Sequence, residues 1–296
     1  MDDVTIVIPT YKRYVFLKRI LKFYLSYSKG IRIIVLDSSP YDPNDNQLRR
    51  MLARRNIKWE RFEPETSLWD RISKGSDLIE TDYVTLCADD DFIMPRAIVE
   101  CIKFLRRNKS FSSAHGYYFC HRNYEQTKEE SFYISQIYHK GCSSEKQTGR
   151  ERLNEYLTGI TSYYPFYAVH KTIDFKMIWS ETNQYVSDWN LHELFSSCLS
   201  LCYGKMKILP IFYSSREPNT FSVNRYSIFN ETFSKKKVDR CVLGISKHLS
   251  KVDQITINQA NHFVENLFNN YVKKSRNVMF ERELILLKKN INDLNN

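Results

Sequence analysis

Between Pro9 and Arg13, directly after the first apolar run, the chain has no glycine. A sugar nucleotidyltransferase on a parallel sheet needs a glycine-rich phosphate loop there, so this absence ranks that class low. The seven cysteines include no C-x-x-C pair and no metal-ligand spacing, and their odd number argues against a disulfide framework. They read as reduced thiols, the pattern of a cytoplasmic protein. No run approaches eighteen apolar residues, which leaves nothing to span a bilayer. Met1-Asp2-Asp3-Val4 lacks a basic start and a long apolar core, so no signal peptide is expected. Internal repeats and low-complexity linkers are missing too.

What is present is a 296-residue chain that is 42% hydrophobic and 26% charged, enough for one large core or one core plus an appendage. The net charge of +10 favours an anionic partner: a nucleotide, an anionic membrane surface or a nucleic acid. The 20 Tyr and 18 Phe suit stacking on bases or sugars, although most will be packing.

From residue 4 to 122, strand-like and helix-like patterns alternate. Val4–Ile8, Ile31–Leu36 and Ile57–Phe62 read as strands; Tyr14–Ser28, Asn46–Arg55 and Ser67–Ile79 read as helices. A fourth strand begins at Tyr83, and Pro95 opens a helix to about Arg107. Strands that are apolar throughout and separated by helices predict a parallel sheet covered on both faces. Further on, the patterns predict strands at Tyr117–His121, Phe132–Ser135, Ser162–His170 and Lys205–Ser214. They predict helices at Gly149–Leu157 and Ser187–Cys202. After Asn224 the chain turns helical and basic, with Lys235-Lys236-Lys237, Lys273-Lys274 and Lys288-Lys289.

The fourth strand ends in Asp89-Asp90-Asp91. Three adjacent carboxylates repel one another and are tolerable only in solvent or around a cation. Hard oxygen donors suit Mg²⁺ or Mn²⁺, which favour a phosphorylated ligand. A nucleic-acid partner explains the charge and the aromatics but not these acids, which repel phosphate without a metal, so no nucleic acid is expected. Ligands of such sheets bind outside the carboxyl ends of the strands. Three polar strand ends meet that description: Pro9-Thr10-Tyr11-Lys12-Arg13, Asp37-Ser38-Ser39 and the Asp triplet.

These segments resemble glycosyltransferase family 2, whose members have the GT-A nucleotide-sugar-binding fold. Thr5–Arg13 is similar to the family's opening strand, and Ile33–Ser39 to the second, whose terminal acid contacts the nucleotide base. Ala88–Pro95 resembles the metal-binding DxD region, and Ser187–Leu191 the later acidic pair that supplies the catalytic base. The resemblance spans about residues 4–216. It implies an α/β GT-A domain over 1–223 and leaves the tail unexplained; the helical, basic pattern after Asn224 predicts a C-terminal extension over 224–296. The resemblance also implies an inverting, metal-dependent transfer from a nucleotide-sugar donor to a glycan or lipid-linked acceptor, in surface polysaccharide synthesis. A catalytically inactive nucleotide- or glycan-binding relative is the alternative.

Carried over residue by residue, the resemblance makes Pro9, Thr10, Tyr11, Arg13, Asp37, Lys74, Asp89 and Arg216 donor contacts. Lys74 takes the position where the family commonly has an Arg, and Arg216 that of a basic phosphate contact after the last strand. Alignment on Pro95 assigns the metal to Asp90 and Asp91 with Asp89 near the ribose; counting D-x-D picks Asp89 and Asp91. The family often has an acid at Ser187, so Asp188 is the sole acid of that pair and the expected base, with Glu193 in reserve. Trp189, Tyr163, Tyr164 and Tyr167 are candidates for an acceptor platform. The basic tail is expected to lie peripherally against anionic membrane, where a lipid-linked acceptor would be found.

Overall fold

A computed structural model describes residues 3–27, 30–123, 132–137, 142–159, 165–216 and 233–294. Its first half is built by strict alternation. Strands β1 (Val4–Thr10), β2 (Arg32–Asp37), β3 (Ile57–Arg61) and β4 (Tyr83–Leu86) are all parallel, in the spatial order β3-β2-β1-β4. Successive side chains of a strand point to opposite faces. Val4, Ile6 and Ile8 of β1 and Ile33 and Val35 of β2 therefore enter one core, while Val7, Ile34 and Leu36 enter another. Helices α1 (Tyr14–Tyr27), α2 (Asn46–Leu52) and α4 (Pro95–Arg107) cover the first face. Helix α3 (Leu68–Ser76) covers the second, together with α6 (Thr172–Tyr185), where the sequence reading had no element.

Beyond β4 the sheet is mixed. Strand β8 (Val169–Lys171) runs antiparallel to β4 and to β6 (Phe111–Asn123). Strand β9 (Lys205–Arg216) runs parallel to β6 and antiparallel to the two-residue β5 (Phe92–Ile93). Strand β7 (Phe132–Ile137) pairs with β6. The expected aromatic strand at 162–170 is a correction: among its described residues, Pro165–Tyr167 form a 3₁₀ turn before β8. The result is an α/β GT-A fold with a helical C-terminal part.

A third core joins α5 (Gly149–Leu157) and α7 (Trp189–Tyr203) to α8 (Lys235–Val252) and α9 (Ile257–Leu294). The boundary expected at 223/224 falls outside the described residues. The tail is cored jointly with the body. Asp253 accepts the backbone N–H groups of Gly149 (2.7 Å) and Arg150 (3.0 Å), capping α5 from the end of α8. Buried Arg152 of α5 donates to the last carbonyls of α7, Leu201 (2.6 Å) and Cys202 (2.9 Å). Among the described residues, no helix is long and apolar enough to cross a membrane.

Candidate active site

Parallel register assembles the site. Thr10 pairs with Asp37 and Asp37 with Arg61, so three strand ends lie side by side. On the other side of β1, Val7 pairs with Leu86, and three residues on Thr10 Oγ1 donates to Asp89 Oδ2 at 2.8 Å. Phe92 pairs with Ser215 and Cys120 with Arg216, bringing the end of β9 over the Asp turn. That turn is closed by the Asp91 N–H on the Ala88 carbonyl. The strand ends border a cleft of about 1010 Å³, lined by both charged and apolar side chains.

Carboxylates and guanidinium groups alternate in the cleft wall. Arg13, just before α1, reaches Asp89 at 3.3 Å and Asp90 at 2.6 Å. Arg216 Nε donates to Asp91 at 2.9 Å, with its guanidinium 5.0 Å from the Tyr167 ring centroid. Burial pushes the Asp89 carboxyl up to about 6; Arg13 and Thr10 pull it down, and Asp90 and Asp91 push it up. Lys12 holds a left-handed backbone at φ 57°, uncommon for a residue with a side chain. Its N–H donates to Ser39 Oγ at 2.8 Å, strapping the β1–α1 turn to the end of β2.

Pro9, Thr10, Tyr11, Arg13, Asp89 and Arg216 of the expected donor set all line the cleft, as do Asp90 and Asp91. Two others do not. Asp37 is fully buried and its carboxylate is used internally. It accepts from Ser39 N (2.8 Å), Tyr14 Oη (2.9 Å), Trp59 Nε1 (3.1 Å) and Arg61 Nη1 (2.7 Å), and Ser38 lines the cleft in its place. Lys74 is exposed and does not line the cleft. Arg71, one turn earlier, is the cation that enters. It is buried, and its Nη1 donates to the carbonyls of Thr10 (2.6 Å) and Leu36 (3.0 Å). Its Nε has no partner among the described residues. Burial lowers its proton affinity, against the pull of Asp37 and Asp89. The sequence held a signal for it: Arg71 lies between Leu68 and Gly75 at spacings of three and four, on the packed face of the helix.

Asp188 is likewise outside the cleft lining. Its carbonyl accepts the His192 N–H at 3.2 Å, which puts it at the N-cap position of α7, but its carboxylate pairs with Lys237 of α8 at 2.7 Å. Glu193 does line the cleft, and burial raises its proton affinity against the opposing charge of Arg216. Of the proposed acceptor platform, Tyr167 lines the cleft with Phe166. Tyr163 and Tyr164 lie outside the described residues, as does the side chain of Trp189.

Three Asp with oxygen donors are the right chemistry for a hard divalent ion. Among the described residues, no three His, Cys, Asp or Glu side chains converge as a ready-made metal cage. A Mg²⁺-type site does not require one, because it takes one or two carboxylates and completes its shell with phosphate and water.

The fold is shared with S. aureus TarS. Its 1–349 fragment matches over 95% of this chain and 91% of that one, at TM-score 0.51 and 9% identity. The same fragment in complex with UDP matches over 93% and 73%, at TM-score 0.54 and 12% identity. No curated protein sequence matches the chain. The family model for "Glycosyl transferase family 2" matches residues 5–173, more than half of the chain and the whole span from β1 through the Asp turn to β8. With its parallel strands ending in an acid-lined cleft, this chain belongs to glycosyl transferase family 2.

Proposed function

We propose that the chain transfers a sugar, with inversion, from a nucleoside-diphosphate donor to a glycan or lipid-linked acceptor in surface polysaccharide synthesis. The observation that carries this is the cleft wall, where Asp89, Asp90 and Asp91 meet Arg13 and Arg216 at the ends of β1, β4 and β9, with Arg71 of α3 beside them. Such a wall offers cations to a diphosphate and carboxylates to a bridging ion at the place where α/β sheets bind ligands. The similarity of the fold to a protein crystallised with UDP supports UDP as the donor nucleotide.

Asp90 and Asp91 would hold Mn²⁺ or Mg²⁺, with Asp89 beside them; when bound, the ion neutralises charge on the leaving diphosphate. The chain's own residues do the rest. Arg71 is fixed by the Thr10 and Leu36 carbonyls in the cleft wall and adds positive charge beside the donor phosphates. Arg13 and Arg216, now paired with Asp89, Asp90 and Asp91, would contact phosphate oxygens when those carboxylates hold an ion. Tyr11, 41% exposed at the cleft edge, offers a ring face to the base. Phe166 and Tyr167 keep water from the reacting carbon and give a sugar a surface to stack on. The basic tail supports peripheral contact with anionic membrane.

A thermal-shift panel of UDP, CDP and GDP, each with Mn²⁺ or with EDTA, tests the reading. UDP with Mn²⁺ raises the unfolding temperature most, and EDTA or Asp90→Asn removes the metal-dependent part of the shift. A chain that none of the three nucleotides stabilises, with or without metal, refutes it.

A further inference from the structure

We infer that the Glu193 carboxylate takes the proton of the attacking acceptor hydroxyl, and that Asp188 ties the start of α7 to α8. This rests on the glycosyltransferase reading above and names the residue of that site that performs the acid–base step.

Placement is the first ground. Glu193 shares the cleft with Asp91, Tyr167 and Arg216, whereas Asp188, five residues earlier, does not line it. Bonding is the second. The Asp188 carboxylate is held by Lys237 at 2.7 Å. To accept a proton it must give up that ion pair, which makes it a poor base. The Glu193 carboxylate makes no hydrogen bond or ion pair among the described residues, although it is partly buried. Burying a carboxyl that no described residue hydrogen-bonds is costly, and the nearby charge of Arg216 offsets only part of that cost. A residue that binds and releases a proton during turnover accounts for that cost, and its raised proton affinity brings it closer to the range a general base needs.

Rigidity is the third ground. The Nδ1–H of His192 donates to the Asp188 carbonyl, and the imidazole stacks on Trp69 with centroids 4.2 Å apart and planes 8° from parallel. Trp69 belongs to α3, the helix that carries Arg71. The first turn of α7 is thereby locked to the helix that lines the donor side, and Glu193, the next residue, is held at a fixed distance from it. A base positioned by two packed helices is pre-organised.

The step balances simply. A lone pair of the acceptor oxygen forms the bond to the anomeric carbon. The bond from that carbon to the diphosphate oxygen breaks, and its electron pair leaves with the nucleoside diphosphate. The hydroxyl proton passes to Glu193 and is later lost to solvent.

The test measures UDP release from a panel of UDP-sugars with water as acceptor, together with UDP affinity and unfolding temperature, for the full-length chain. Glu193→Gln is expected to cut UDP release by at least about a hundredfold while UDP affinity stays within about threefold. Asp188→Asn keeps turnover within about fivefold and lowers the unfolding temperature, and Lys237→Met does the same. Azide is an anionic nucleophile with no proton to lose. It restores donor turnover in Glu193→Gln and in the roomier Glu193→Ala, giving a glycosyl azide, which a purely structural residue would not do. The assignment is overturned if Asp188→Asn is the inactive, azide-rescued variant, or if Glu193→Gln loses UDP affinity. A wild-type chain that neither binds UDP nor releases it from any UDP-sugar overturns the underlying reading itself.

Discussion

Asp37 shows how one residue can be correctly located by sequence and still have its job decided elsewhere. It ends β2 at the cleft side of the sheet, yet four donors, from the turn after β2, from α1 and from β3, consume its carboxylate. Its pairing with Arg61 follows from register alone. The consequence is a stability role. Asp37→Ala leaves a guanidinium, an indole N–H, a phenol and a backbone N–H without their shared acceptor. Removing one partner of a buried pair costs about 3–5 kcal/mol; Arg61 is 32% exposed and recovers some hydration, so the lower part of that range is expected. Urea unfolding measures it, and Asp37→Asn, which keeps one acceptor oxygen, falls between. An Asp37→Ala protein as stable as wild type would remove this role.

At the scale of elements, the position of α3 decides whether Arg71 reaches the cleft. Gly75 lets it do so: a Cβ there would lie 2.5 Å from Leu36 Cδ2 and 2.7 Å from Cδ1. Leu36 is fully buried on β2, and its carbonyl is one of the two that hold Arg71. Gly75→Ala gains about 1 kcal/mol of helix propensity but overpacks this contact at a cost of about 1–3 kcal/mol. The net expectation is little change or a modest loss in stability, with UDP affinity reduced severalfold because α3 and Arg71 are pushed outward. Leu36→Val in the same chain makes room and recovers the affinity. Calorimetric titration with UDP checks both variants, and an undiminished affinity in Gly75→Ala would show that α3 need not approach so closely. The same logic of close approach governs α8, where a Cβ at Gly244 would meet Phe195 Cζ of α7 at 2.7 Å. The tail helices are therefore packed parts of the catalytic body, and truncation before α8 would expose the third core.

For the whole molecule, buried histidines set the acid limit. Burial lowers His115, His170 and His192 each to about 4. Each donates a ring N–H to a backbone carbonyl, of Gly116, Pro165 and Asp188 respectively, as a neutral imidazole does. In the unfolded chain these groups take up protons near pH 6.5, while in the folded chain they resist until about 4. Between those values the unfolded state binds more protons, so stability falls as pH drops through the window. Each histidine contributes about 1.4 kcal/mol per pH unit there. Asp89 opposes the trend, because its folded carboxyl binds a proton already near 6. In EDTA, the urea midpoint is expected to fall steadily from pH 7 to pH 5, and less steeply in His115→Gln. A flat midpoint across that range would mean that these rings are not held neutral.

The sequence by itself determined the alternating half of the fold. Four apolar runs with helical segments between them can bury both faces only as a parallel sheet, and the polar strand ends then fall along one edge. Pro9, Thr10, Tyr11, Arg13 and the Asp triplet were legible as cleft residues for that reason, and Arg216 through the family resemblance. Tertiary structure decided whatever depends on direction or on distant partners. Arg71 and Lys74 differ by less than one helical turn, and only the docking of α3 on Leu36 turns the first inward. Asp188 and Glu193 sit in neighbouring turns of one segment; the first pairs with Lys237, far along the chain, and the second lines the cleft. The jointly cored tail was hidden for the same reason: an amphipathic helix states that it has a buried face but not what will cover it. Spacing along a chain fixes which residues share a face, and which way that face points is settled only when the elements pack.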